Sequence, residues 1–251
     1  MKNSPITWTD HTFNPWIGCA KISEGCAHCY AETLMAKRYK RVQWGPNGTR
    51  AHTKPLTWRD PLKWNAEAAA QGIRYRVFTA SLADIFEDRE ELSPWRDDLH
   101  ELIRQTEHLD WLVLTKRPEI AARYYSEHPI PQNVWLGTSV ENTAATRRIP
   151  ILASIPAKVR FLSCEPLLEG IPGLDLHNIH WLIAGGESGV GARPVHPEWI
   201  RSLRDQCRDA NVPFFFKQWG GTQPKTNGNT LDGRIHEEFP CIKNNKPKKQ
   251  Q

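Results

Sequence analysis

Six short apolar runs recur along the chain, and each ends in a polar or charged cluster. Residues 76–81 lead to Asp84, 111–114 to Lys116 and Arg117, and 134–137 to Ser139 and Glu141. Residues 159–162 lead to Cys164 and Glu165, 181–184 to Gly185, Gly186, Glu187 and Ser188, and 214–216 to Lys217 and Gln218. Continuous runs this short, separated by helix-like stretches such as 94–107, are the pattern of parallel strands buried on both faces. With a strand-like segment at 6–17 they make about seven strands, which predicts an α/β fold built as a full or partial parallel (β/α) barrel. Parallel α/β folds bring the C-terminal ends of their strands to one mouth, where ligands bind, so the polar clusters are expected to converge there.

The segment 18–30, GCAKISEGCAHCY, places Cys19, Cys26 and Cys29 just ahead of a helix-forming run at 30–39. Cys29 should therefore sit at a helix N-terminus, where the dipole favours a thiolate. The other cysteines, Cys164, Cys207 and Cys241, are scattered singly through 251 residues, so a disulfide framework is not expected. The spacing C-x(6)-C-x(2)-C supplies three thiols, with His11 and His28 as candidate fourth ligands. A structural zinc site takes four ligands and is commonly built from two knuckles, of which this chain has one. Three thiols that leave a metal position open suit a 4Fe-4S cluster whose fourth iron binds substrate or cofactor. From spacing alone a cluster, zinc and unliganded thiols all stay open.

No apolar run approaches the roughly 20 residues of a membrane span, and the first residues lack the apolar core of a signal peptide, so a cytoplasmic protein without membrane contact is expected. The formal net charge is +5, with Lys243, Lys246, Lys248 and Lys249 in a C-terminal tail that reads as disordered. Residues 1–221 are read as one domain and 222–251 as an extension. The segment 43–65 is rich in Gly, Pro and Trp without a period and reads as an ordered surface loop. Its Trp44, Trp58 and Trp64 are the best candidates for stacking on bases.

Several longer blocks resemble a known family: NPWIGCAKISEGCAHCYAE, VLTKRPE, VWLGTSVEN, RFLSCEPLL, GGESGVGARPVHPEW and VPFFFKQWGG. Over residues 6–221 they are similar to the phage-associated three-Cys-motif proteins, a radical-SAM-like family without an assigned reaction. The resemblance implies a barrel of the radical-SAM type with Cys19, Cys26 and Cys29 as ligands of a 4Fe-4S cluster and S-adenosylmethionine as cofactor. The loop departs from that superfamily's usual C-x(3)-C-x(2)-C by three extra residues in its first gap. By chain order Asp84 is placed on the cofactor's amine, and by motif Glu187, within Gly185-Gly186-Glu187. Ser139 and Glu141 join them as cofactor-binding candidates.

Cys164, Glu165 and Lys217 are the catalytic candidates, Cys164 as a hydrogen donor and Lys217 as a cation for a carboxylate. Charged strand ends seldom lack a partner, so Glu141, Glu165 and Glu187 could also neutralise Lys116, Arg117 and Lys217. The leading expectation is an enzyme that generates a 5′-deoxyadenosyl radical and abstracts hydrogen from a substrate, with a nucleotide or nucleic-acid base as one candidate. The alternative is a zinc-containing nucleic-acid-binding module without catalysis. The substrate is not written in these residues, and a nucleic acid and a partner protein are left open as partners.

Overall fold

The computed structural model describes residues 1–223 and 226–241. Its centre is one sheet of seven strands: β1 His11–Thr12, β4 Tyr75–Thr79, β5 Leu109–Thr115, β6 Val134–Ser139, β7 Val159–Cys164, β8 Trp181–Gly185 and β9 Phe214–Gln218. Every pairing in it is parallel, in the order just given, and the sheet curls into a half-barrel. Five of the six apolar runs read from the sequence are strands of the sheet extended by one to three residues; 76–81 is the strand 75–79, and of the segment 6–17 only His11–Thr12 joins the sheet. The short antiparallel pair β2 Trp16–Ile17 and β3 Ala51–His52 lies outside this sheet.

Strand alternation sorts the side chains to two faces. Val77, Trp111, Val113, Leu136, Leu162, Ala184 and Phe216 pack outward under the helices α4 Ser93–Gln105, α5 Pro118–Glu127, α6 Arg148–Ser154 and α7 Pro197–Asp209. Phe78, Leu112, Trp135, Phe161, Trp181 and Phe215 point to the other face and, with Trp8, form a separate aromatic cluster. Gly137 makes room in that layer, because a Cβ there would stand 2.3 Å from the Phe161 ring. The cluster fills the barrel toward the N-terminal ends of the strands and leaves the C-terminal ends for polar groups.

The segment 43–65 is not a loop throughout. It contains β3, α2 Pro55–Trp58 and the start of α3 Asp60–Gln71. Pro55 and Pro61 lie in the first turns of those helices, where a missing N–H leaves no bond unmade, so prolines that read as loop punctuation are helix starts. Trp64 is buried with its ring tilted against His11, and half-buried Trp58 packs edge-on against Phe13, so two of the three candidate stacking tryptophans are engaged in or against the core.

The first part of the C-terminal extension folds back onto the domain. The hairpin of β10 Thr230–Leu231 and β11 Arg234–Ile235 is followed by Glu237, bridged to Phe215, and by Phe239, which packs on Trp181 and Phe215. The lysine tail beyond Cys241 lies outside the described residues. Among the described residues no helix is long and apolar enough to cross a membrane.

Candidate active site at the strand ends

The chain leaves β2 at Gly18, whose N–H bonds the Leu82 carbonyl beyond β4, and enters the cysteine loop directly over the strand ends. Cys29 caps a helix that begins as α1 Tyr30–Glu32 and continues as a π-helix over Thr33–Arg38, as the sequence predicts. Cys19, Cys26 and Cys29 line one cleft with Trp44, Leu114, Thr115 and Ser139. None is in a disulfide and all three are partly accessible.

The six-residue first gap has a structural reason. Its turn, Glu24–Cys26, is docked across the sheet rather than looped into solvent. Ser23 Oγ donates to Glu141 Oε1 at 2.6 Å, and a Cβ on Gly25 would come within 2.5 Å of Glu141 Cγ. Arg193 Nη2 donates to the Glu24 carbonyl at 3.3 Å, and Asn142 Nδ2 to Glu24 Oε2 at 3.3 Å. Arg117 reaches the start of the gap, donating to the Ala20 carbonyl at 2.9 Å and lying 3.9 Å from Cys19 Sγ. The extra residues thus carry the loop to groups beyond β5, β6 and β8.

The charged strand ends converge as expected, mostly onto one another. Glu141, 1% exposed, accepts from Ser23, from Lys116 Nζ and from Arg148 Nη1 at 2.7 Å. Asp84 accepts four bonds, from Phe86 N, Thr115 Oγ1, Lys116 N and Arg117 Nη1. Glu187 is held on both oxygens by Arg193 and also meets His28 Nδ1 at 3.0 Å. Lys116 and Arg117 are therefore ion-pair partners of Glu141 and Asp84.

Burial alone would raise the Glu141 carboxyl, but Lys116 and Arg148 outweigh it and hold it at about 2. Burial likewise opposes ionisation of Glu187, and hydrogen bonds from Arg193 and His28 bring it to about 2. A depressed folded pKa contributes stability in full above the unfolded value near 4.5, and that contribution is lost as pH falls through about 2. Hydrogen exchange should accordingly show amides of residues 19–29 losing protection between about pH 4.5 and 2, ahead of those in β5. Loop protection that follows β5 throughout would assign the docking to other contacts.

Four expectations change here. Cys164 is fully buried on the helix-facing side of β7, so its thiol points away from the barrel interior and cannot reach a substrate there. Gly185 and Gly186 are required by close packing of the chain itself: a Cβ on Gly185 would stand 2.8 Å from Glu165 Oε1, and one on Gly186 1.9 Å from the Trp219 carbonyl oxygen. The chain's own side chain and backbone fill those spaces. His11 is buried against Trp64 and Tyr75. His28 pairs with Glu187, so neither histidine completes a ligand set as placed.

Glu165 and Lys217 do meet: Lys217 Nζ lies 2.9 Å from Glu165 Oε1, with Ser163 Oγ 3.5 Å from the other oxygen. These residues and Ser139 alternate with the helix-facing set and so face the barrel interior.

Three free thiols on one cleft are a donor set that fits a soft metal or an iron–sulfur cluster. Among the described residues no three His, Cys, Asp or Glu side chains already stand grouped around an ion position. Burial, with Asp84 nearby, pushes the Cys19 thiol up to about 12, so it is protonated at neutral pH and metal binding would release its proton. Ser23, Gly25 and Arg148, which position the loop, were not singled out from sequence. The small residues Ser23 and Gly25 are the signal from which a close approach could have been read.

Fold and site together define a parallel α/β half-barrel with a three-thiol loop docked over its strand ends. The chain belongs to the family described as protein of unknown function (DUF5131), whose model matches residues 3–240. No curated protein matches it. Among solved structures it is similar to a double mutant of spore photoproduct lyase with bound AdoMet and dinucleoside spore photoproduct, at 13% identity and TM-score 0.51, covering 82% of this chain and 63% of that one. It is also similar to a single mutant of that lyase at 15% identity and TM-score 0.50, covering 74% and 58%. The chain spans about three fifths of the length of these structures, and the likeness is one of fold.

Proposed function

We propose that the protein is a radical S-adenosylmethionine-type enzyme acting on a nucleotide or nucleic-acid base. The observation that carries this reading is the set of three free thiols of one loop lining a cleft at the strand ends of a half-barrel. The fold is shared with a lyase whose structure holds AdoMet and a dinucleoside photoproduct, which supports both the cofactor and the substrate class. The resemblance of the sequence blocks to the phage-associated three-Cys-motif proteins implies the same cofactor.

Cys19, Cys26 and Cys29 would hold the 4Fe-4S cluster. Bound there, cluster and cofactor supply one-electron chemistry and a hydrogen-abstracting group. The chain's own part is placement. Glu141, Arg117 and Arg193 fix the loop against the sheet, while Trp44 and Leu114 supply apolar wall to the thiol cleft. Ser139 offers a hydroxyl in the cleft beside the thiols. The Lys217–Glu165 pair, facing the barrel interior, can hold an anionic substrate group at Nζ and keep a proton next to it. Asp84 and Glu187 act on Arg117 and Arg193 and so position the loop.

Anaerobic reconstitution followed by metal and sulfide analysis tests the reading. About four irons and four sulfides per chain are expected. Reduction should then convert S-adenosylmethionine to methionine and 5′-deoxyadenosine. Stoichiometric zinc without iron uptake would instead make the thiols a structural site and end the proposal.

A further inference from the structure

Lys37, Arg38, Tyr39, Lys40 and Arg41 are consecutive and all exposed. They stand at the apex of an excursion that begins and ends at the cysteine loop. One foot is Cys29, which caps the helix leading to Arg38. The other is Gly45, whose N–H bonds the Cys19 carbonyl, next to Trp44 in the wall of the thiol cleft. Val42 and Met35 are buried with Ile17 and fasten the excursion to the domain. At a helical rise of about 1.5 Å per residue the strip begins roughly 12 Å from Cys29, a few nucleotide spacings along a strand.

An exposed run of charge is commonly just a solvated face, and exposed cations of both kinds occur on this surface. Arg104, Arg123, Arg201 and Arg208 each have a carboxylate oxygen within 3.1 Å, whereas Arg59, Arg147 and Arg234 stand singly without one among the described residues. Lys37, Arg38, Lys40 and Arg41 likewise have none among the described residues, and the 37–41 strip differs in gathering four cations into five consecutive residues. The nearby acid, Glu32, is taken by Lys21 at 2.6 Å. What Arg38 and Arg41 do face is the ring of Tyr39, 5.6 and 5.8 Å from its centroid. Tyr39 itself is 51% exposed, a large aromatic turned outward amid four uncompensated cations. Cations without internal partners, held beside an accessible ring, are the combination that neutralises successive phosphates and stacks on a base. The phosphates of a free nucleotide are clustered at one point, whereas four cations spread along a run of residues match phosphates repeated along a strand.

We propose that the Lys37–Arg41 strip binds the phosphate backbone of a polynucleotide and lays it toward the thiol cleft, which makes the substrate a base within a strand rather than a free nucleotide. The polynucleotide docks on the strip whether or not the cleft holds a cofactor. Only the statement about the substrate rests on the enzymatic reading.

The test uses the full-length, metal-free chain and a labelled mixed-sequence oligonucleotide, single-stranded and duplex, with anisotropy measured over a range of salt. Replacing Lys37, Arg38, Lys40 and Arg41 together by alanine should weaken binding about tenfold or more, and the slope of log affinity against log salt should shrink by roughly 3. The Lys37→Ala and Arg41→Ala single variants should each remove about one unit of slope, which keeps the test informative should the quadruple variant fold poorly. Tyr39→Ala should weaken single strands more than duplex. Deleting residues 243–251 should leave the loss caused by the strip variant in place.

An unchanged slope in the quadruple variant overturns the proposal, as does binding that vanishes entirely with the tail. Loss of affinity for anionic lipid vesicles with oligonucleotide binding intact would assign the strip to membranes and also overturn it. Oligonucleotide binding is read on the metal-free chain, apart from any cluster or cofactor cleavage. Failure of the cofactor chemistry would therefore leave docking on the strip standing, and failure of docking would leave the cofactor chemistry standing.

Discussion

Replacing Glu141 by alanine is expected to lower the unfolding free energy by about 3–5 kcal/mol, the range for removing one partner of a buried ion pair. The carboxylate is 1% exposed and meets Lys116, Arg148 and Ser23 at once. Without it the Arg148 guanidinium, itself almost wholly buried, keeps among the described residues only the Ser139 carbonyl, which donor Nη1 also bonds. The damage should be directional as well as large, because Ser23 and Gly25 rest on that same side chain. Hydrogen exchange should rise first in residues 19–29, and the urea midpoint should fall with little change in slope. Glu141→Gln preserves the shape and an acceptor for Ser23 and should lose less. A loop that stays protected in Glu141→Ala, with stability unchanged, would show that the carboxylate is not what fastens it.

The second large effect is close to all or none. In the Cys19→Ala, Cys26→Ala, Cys29→Ala variant, reconstituted iron should fall from about four per chain to background, and reductive cleavage of S-adenosylmethionine should vanish with it. The metal-free fold should hardly notice. The three thiols are partly accessible, and their closest polar contacts are long: 3.4 Å from Cys19 Sγ to the Ala20 carbonyl, 3.7 Å between Cys26 and Ser23, and 3.9 Å between Cys19 and Arg117. Thermal unfolding of the apo forms should therefore nearly coincide. Iron retained by the triple variant would place the metal elsewhere and remove the basis of the proposed function.

Much of the fold was legible because buried parallel strands leave a plain trace. The run 181–184 can only be a strand covered on both sides, and its polar ending marks where cover gives way to the mouth. The convergence of charges was legible for the same reason, as was the helix starting at Cys29. What stayed hidden depended on orientation or on distant neighbours. Cys164 and Glu165 are adjacent in sequence, and strand alternation sends one to the helices and the other to the interior, a phase that sequence reading did not apply. The glycines at 185 and 186 looked like openings, because the Trp219 carbonyl that fills one of them arrives from a strand some thirty residues later. Pro55 and Pro61 read as breaks because a proline at a helix start and a proline in a loop look alike until the following turns are seen. The long first gap of the cysteine loop had no meaning until Glu141 and Arg193 were in place to receive it.

The aromatic layer of Trp8, Phe78, Trp135, Phe161, Trp181 and Phe215 has one more consequence. It makes the half-barrel a cup instead of a tube, with its floor set by side chains too large and too well packed to part. The floor closes the route along the strands, so two ligands that share this space approach from the strand ends or across the open edges between β1 and β9. Where one lies beneath the other at the strand ends, the deeper is expected to enter first and leave last. Product-inhibition patterns read that order directly, whatever the chemistry at the thiols proves to be.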